Sequence, residues 1–229
     1  MNTFSIGESL SFGWKTFAAR PWLFIGSILL MLCATLLAQF VVSMLGGFLE
    51  VFVGEGIAEA LEFVGMFVVN MLVALGATNL YLKAHDNVAG TKFADLWYPK
   101  PFWAYVVGSL LVALAVLLGL ILLIIPGIIV ALAFIFWNYL VVERGLTPIA
   151  ALKESARITK GNRWKLFALG CACAAINLLG FLALLVGILV AAPVTALALV
   201  HVYRTLAGSV VEPEVVSQPA PAPIITPTA

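Results

Sequence analysis

From Phe102 to Val142 the chain runs 41 residues without a single Asp, Glu, Lys or Arg. As one helix that stretch would be about 60 Å long at 1.5 Å per residue, twice the roughly 30 Å of hydrocarbon in a bilayer. It is too apolar to face water and too long for one crossing, so it has to fold back inside an apolar medium. The turn is expected at "IIPGII", where Pro126 breaks helical bonding and Gly127 adds freedom. Composition agrees: 63% of the residues are hydrophobic and 10% charged, against roughly 45–50% and 25% in soluble domains. With a mean hydropathy of +1.13, twelve basic and eleven acidic residues cannot coat a water-facing surface.

The same measure finds the other crossings. Trp22 to Leu45 is one apolar stretch, and Glu62 marks the edge of a second that runs to Leu82. Leu166 to Val200 is again uncharged and about 52 Å long as helix, so a tight hairpin near Gly180 to Gly187 is expected. The reading is all-α: a membrane domain over 1–209 with spans at about 22–45, 62–82, 102–124, 126–142, 164–182 and 184–203, forming three hairpins. "VEPEVVSQPAPAPIITPTA" holds five prolines and no aromatic residue, which predicts a disordered cytoplasmic tail over 210–229. The start is not a cleavable signal peptide, because the apolar stretch opens only at Trp22 and is too long for a signal core. Nor does "LMLC" before Cys33 make a lipoprotein site, since Leu32 stands where a small residue is needed.

Charge tests this topology. Cytoplasmic loops carry the excess of Lys and Arg. With six spans, Lys15, Arg20, Lys83, Lys92, Lys100, Arg144, Lys153, Arg157, Lys160, Arg163, Lys165 and Arg204, all twelve in the chain, fall on one side. Glu50, Glu55, Glu59 and Glu62 fall on the other, as a solvated interfacial face. Five spans would strand Arg204. Both termini are therefore expected in the cytoplasm, with the protein in the cytoplasmic (inner) membrane.

Three cytoplasmic segments read as helices lying at the interface, over about 5–19, 91–98 and 147–160. In the first, Ser5 and Glu8 match a capping box, and Ile6, Leu10, Trp14 and Phe17 recur at helical spacing. In the third, Thr147 caps, Pro148 opens the first turn and Gly161 stops it. There Ile149, Leu152 and Ala156 share one face, and Lys153, Arg157 and Lys160 another. An offset of 142 pairs Trp22 with Trp164, Phe24 with Leu166, Leu10 with Leu152 and Ser5 with Thr147, an internal repeat. A weaker middle copy lies in "TKFADLWYPKPFW", with Trp103 before the central hairpin.

"IIPGIIVALAFIFWNYLVVERGLTPIAALKESARITKGNRWKLF" combines an Ile-Pro-Gly turn, an apolar helix, the Glu143-Arg144 exit and a Trp-Lys-x-Phe re-entry. Over about Leu122 to Phe167 the chain resembles uncharacterised bacterial multi-spanning membrane proteins, which are similar to the membrane domain attached to some glycerophosphodiester phosphodiesterases. The resemblance implies an all-helical, six-span inner-membrane protein. The soluble catalytic barrel of those fusions is not in this sequence, and its activity is not carried over.

The catalytic vocabulary is thin. His85, beside Asp86, reads as a loop residue and His201 as an interfacial anchor; a lipid-directed enzyme would need a cluster such as His85, Asp86 and Asp95. No phosphate-cradling loop, nucleophile elbow or metal-ligand spacing occurs. Cys33, Cys171 and Cys173 read as small apolar residues. The expectation is no enzyme, no cofactor, no metal and no nucleic-acid partner. Ionisable groups are missing from span centres, where pumps usually carry them. Gln39, Ser43, Asn70, Asn79, Asn138 and Asn177 are the mid-membrane polar groups, suited to joining helices. The sharper alternative is that Asn70, Asn138 and Asn177 line a polar path for a small solute, with Pro126 and Pro193 marking broken helices.

"ALKESARITKGNRWKLF" gathers five cations in seventeen residues. Lys153 with Arg157, and Arg157 with Lys160, are neighbours on a helix and repel by a few tenths of a kcal/mol. Anionic lipid opposite them would gain about 1 kcal/mol per cation. Lys160, Arg163, Trp164 and Lys165 read as depth anchors at the span entrance, and the whole run, Lys153 and Arg157 included, as a topology and anchoring signal. Arg157, Lys160, Arg163 and Lys165, joined by Lys15 and Arg20 of the matching repeat, read more sharply as an anionic phospholipid headgroup site. The expected partners are membrane lipids, with a membrane-protein partner or a second copy as further options. The expected role is membrane organisation or sensing.

Overall fold

A computed structural model describes residues 4–183 and 187–208. Among them the regular elements are helices: α1 (Ile6–Ala19), α2 (Pro21–Val53), α3 (Glu55–Asp86), a 3-10 turn at Phe93–Leu96, α4 (Phe102–Leu122), α5 (Ile124–Ala133), α6 (Trp137–Arg144), α7 (Pro148–Thr159), α8 (Arg163–Leu182) and α9 (Ile188–Gly208). The expected tail over 210–229 lies outside the described residues. Six stretches are long and apolar enough to cross a membrane: Pro21–Val53, Glu55–Asp86, Phe102–Leu122, Ile124–Arg144, Arg163–Leu182 and Ile188–Gly208. Leu36, Leu37, Phe40 and Met44 on α2 are 60–65% exposed, a surface that water opposes and lipid accepts.

The first two helices are longer than their apolar stretches. α2 has 33 residues and α3 has 32, each about 50 Å, because glutamate is a good helix former and bonding continues through Glu50, Glu55 and Glu59. Only Gly54, at φ +82°, separates the two. In the central pair the turn falls at extended Leu123, not at Pro126-Gly127. Pro126 lies in the first turn of α5, where its missing N–H costs nothing. Gly127 serves close packing: a Cβ on Gly119 would lie 2.8 Å from the Gly127 Cα. The middle interfacial segment forms only the four-residue 3-10 turn.

Residues 134–136 interrupt the fourth stretch between α5 and α6, and α7 seals the gap. The Ser155 hydroxyl donates to the Ala133 carbonyl (2.9 Å) and accepts the Phe136 N–H (3.2 Å). Thr159 also donates to Ala133 (3.3 Å). The buried face of α7 is therefore Ala151, Ser155, Ile158 and Thr159, while Ile149 is 61% exposed. This corrects the expected face of Ile149, Leu152 and Ala156. Backbone groups freed by a break need partners when buried, and two hydroxyls supply them.

α1 lies along α9, packed so closely that a Cβ on Gly13 would meet the Val194 carbonyl oxygen at 2.3 Å. Its buried residues are Ser9, Gly13, Thr16 and Phe17, so of the expected stripe only Phe17 is buried, and Trp14 is 55% exposed. Ser5 accepts the Glu8 N–H at 3.4 Å, half of the expected capping box; Thr147 holds the capping position of α7 without a side-chain bond. The main core joins α3, α6, α8 and α9 through Leu75, Phe136, Leu140, Leu169 and Tyr203. A second cluster ties α1 and α2 to α3 and α9 through Phe17, Phe24, Leu80 and Leu197.

Candidate functional site

The five cations of the α7–α8 junction differ in what they touch. Arg157 is engaged: its Nε and Nη2 donate to the two Glu154 oxygens at 2.8 and 2.7 Å, and Arg144 approaches the same carboxylate at 3.6 Å. The hydrogen bond from Arg157 holds the Glu154 carboxyl below the usual carboxylate range. Lys153, Lys160 and Lys165 are exposed, and no ion pair joins them to a described residue. Arg163, first residue of α8, is half-buried, with its Nε shut from solvent and without a partner. A buried donor left unpaired costs about 1–3 kcal/mol. Trp164 beside it is 83% exposed.

The two cations of the matching repeat stand elsewhere, on and just beyond α1. Lys15 is exposed. Arg20 is engaged within the fold: its Nη1 points at the carbonyls of Val88, Ala89 and Thr91 at 3.0, 2.9 and 2.9 Å, tying the loop after α3 to the entrance of α2.

The asparagines serve local joints. Asn70 donates to Met66 of its own helix at 2.8 Å on an exposed face. Asn177 donates to Cys173 (2.8 Å) and, across to α9, to Thr195 (3.0 Å). Asn79 donates to the Asp95 carbonyl at 2.7 Å, holding the 3-10 turn to α3. Asn138 has a buried Oδ1 without a partner.

Sequence reasoning missed a polar cluster where the ends of α3, α6 and α9 meet. His85 and His201, 116 residues apart, place Nε2 and Nδ1 3.3 Å from each other. Asp86 lies 3.2 Å from the His85 Nδ1; with that nitrogen donating, the His85 Nε2 is left to accept from His201. Arg204 spans two carboxylates, Asp86 at 2.6 Å and Glu143, and the Tyr203 hydroxyl donates to Glu143. Phe12 of α1 lies over both imidazoles, with centroids 4.3 Å from His201 and 4.7 Å from His85. Asp95 does not join: it pairs with Lys83 at 2.6 Å, whose hydrogen bond holds its carboxyl below the usual range. Three helices, α3, α6 and α9, are thus clamped by one polar network, and Phe12 stacks α1 onto it. Its signal was present: alternation of sides already placed the ends carrying His85, Glu143 and Arg204 together. Among the described residues no three His, Cys, Asp or Glu converge in a geometry that could hold a metal ion.

The family described as a domain of unknown function, DUF7847, matches residues 96–218, which takes in the central pair, α7, α8 and α9. The uncharacterized proteins Rv2560 of Mycobacterium tuberculosis (strain H37Rv) and Mb2590 of Mycobacterium bovis are each 29% identical to the chain over 168 residues, 73% of it and 50% of the relative. The chain spans about half the length of these curated relatives. No solved structure matches. With more than half of its length matched, the chain belongs to the DUF7847 family.

Proposed function

We propose that this protein organises or senses the cytoplasmic membrane by contacting anionic lipid, without catalysing a reaction. Its six spans form three hairpins, both termini lie in the cytoplasm, and α1 and α7 lie against the cytoplasmic face. The observation that carries the lipid reading is the open charge at the α7–α8 junction: Lys153, Lys160, Lys165 and Arg163 have no carboxylate partner among the described residues, which leaves them free to take a counter-charge from the membrane. The inner leaflet supplies it. Twelve cations on one side of the six-span topology support the orientation, and the resemblance of Leu122 to Phe167 to the membrane domain of some glycerophosphodiester phosphodiesterases is in keeping with a lipid-facing role. A membrane-protein partner or a second copy bearing carboxylates would meet the same charge.

The test is thermal unfolding of the purified chain in detergent with added phospholipid. Phosphatidylglycerol is expected to raise the apparent Tm more than phosphatidylcholine, and the difference to shrink in high salt. Equal shifts would end the anionic-lipid reading. The buried Oδ1 of Asn138, without a partner among the described residues, favours a second reading, a small-solute carrier with its polar path at Asn138, while Asn70 and Asn177 are taken up by local bonds. Solute flux into proteoliposomes that falls on Asn138→Leu would establish it, and flux unchanged by that substitution would remove it.

A further inference from the structure

Between α5 and the start of α8 a groove of about 490 Å³ opens on the surface, within the roughly 300–1,000 Å³ of small-ligand sites. Ile128, Ile129 and Leu132 of α5 face Phe167 of α8 across it, and Lys160 and Arg163 are the cations of its lining. The walls are almost wholly apolar, and the two lining cations are among those that no carboxylate of the described residues meets. Arg163 is the telling one. Arg204 also has a buried, unpartnered Nε, but its terminal nitrogens are held by Glu143 and Asp86. None of the nitrogens of Arg163 has a partner among the described residues.

An apolar channel with unpaired cations beside it is complementary to one kind of molecule, a chain of methylenes ending in a negative group. We propose that the groove is a phospholipid site, in which an acyl chain lies on Ile128, Ile129, Leu132 and Phe167 and an anionic headgroup phosphate takes the guanidinium of Arg163 with the ammonium of Lys160. A guanidinium fork suits phosphate oxygens, and the bond strengthens where water is excluded. Trp164, exposed at the edge of the groove, suits the headgroup level. Arg157 is left out, because Glu154 already takes its fork. The inference rests on the anionic-lipid reading above and deepens it, from charge attraction spread over a surface to one seated lipid.

Native mass spectrometry of the full chain, released from micelles holding equal phosphatidylglycerol and phosphatidylcholine, separates the two levels. One retained phosphatidylglycerol is expected. Arg163→Gln should reduce its retention about tenfold, as loss of a charge-assisted contact does. Ile129→Trp, which fills the groove and leaves the charge untouched, should also displace it, and Ile128→Trp provides a second filling variant should the first fail to fold. Lys100→Gln, an exposed cation away from the groove, should change nothing. If Lys100→Gln is as harmful as Arg163→Gln, or both filling variants retain lipid normally, the seated-lipid proposal falls while anionic preference stands. If inorganic phosphate displaces the lipid, the site is one for free phosphate and the proposal again falls. If the unaltered chain shows no preference for phosphatidylglycerol, both readings fall together.

Discussion

The opening and closing thirds of the chain follow the same plan in different chemistry. α7 and α8 begin 142 residues after α1 and α2, the offset that pairs Trp22 with Trp164, and these two tryptophans are 82% and 83% exposed. The register goes further. α1 buries Ser9, Gly13, Thr16 and Phe17; α7 buries Ala151, Ser155, Ile158 and Thr159, the same four positions. What occupies them differs. Gly13 lets α1 press its backbone onto α9, whereas Ser155, its counterpart, mends a broken span. The cations diverge likewise: Arg20 is bound to three carbonyls, and Arg163 has an Nε that no described residue meets. A repeated outline therefore fixes which face of a helix is covered, and the residue at each covered position decides whether the contact is packing, repair or an open valence.

That contrast can be broken by substitution, most sharply at the glycine. Gly13→Leu places a side chain where even a Cβ would stand 2.3 Å from a carbonyl oxygen. It should cost about 3 kcal/mol, read as a fall in apparent Tm of roughly 6–12 °C. Gly7→Ala, with open space around it, should be neutral, and a neutral Gly13→Leu would refute the close contact of α1 with α9. Ser155→Ala leaves the Phe136 N–H without its hydroxyl and should cost about 2 kcal/mol, measured in the same melts; Ser155→Thr, which keeps the hydroxyl, should recover part of it. Arg20→Gln should cost about 1.5 kcal/mol and speed hydrogen exchange in the loop over 87–91. Arg163→Gln should leave stability unchanged or slightly raised in lipid-free detergent, because it removes an unpaired buried donor. If it destabilises as much as Arg20→Gln, the two arginines are equivalent after all.

The smallest effect is electrostatic. Arg157 holds the Glu154 carboxyl below its ordinary range, so the pair stabilises the fold above the ordinary carboxylate pKa and is lost as pH falls through the depressed value. Arg157 is 58% exposed at its side chain, so screening limits the contribution to a few tenths of a kcal/mol. The Tm of the unaltered chain should exceed that of Arg157→Gln by a correspondingly small amount above about pH 5, and the gap should close as the pH falls; identical curves would mean that the fork carries no net stability.

How far the sequence could be read follows from the solvent it was read for. The six apolar stretches and their order were legible, because crossing length and hydropathy need no partner. So were the starts of α1 and α7, where Ser5 and Pro148 act locally. The covered faces were not. In water the apolar stripe of an amphipathic helix turns inward, which points to Ile6, Leu10 and Trp14, and to Ile149. Here Trp14 and Ile149 are turned outward, where lipid welcomes them, and small or hydroxyl residues meet the protein. The turn at Leu123 escaped because Pro-Gly marks the start of a helix as well as the end of one. Of the candidate sites, the basic run was visible as charge, but which cation is free depends on Glu154 and on three loop carbonyls. The histidine pair needed the fold itself, since 116 residues separate its halves.

The length of α2 and α3 sets a condition on the membrane around them. Two helices of about 50 Å meet a hydrocarbon slab of about 30 Å. Lying wholly within it would take a tilt of roughly 50°, beyond the 0–40° that spanning helices adopt. Their Gly54 end, with Glu50, Glu55 and Glu59, therefore stands clear of the hydrocarbon as a spur, while α8 and α9, at 20 and 21 residues, fit it without excess. One molecule thus carries a long ruler and a short one, and a thicker bilayer would cover more of the first while outreaching the second.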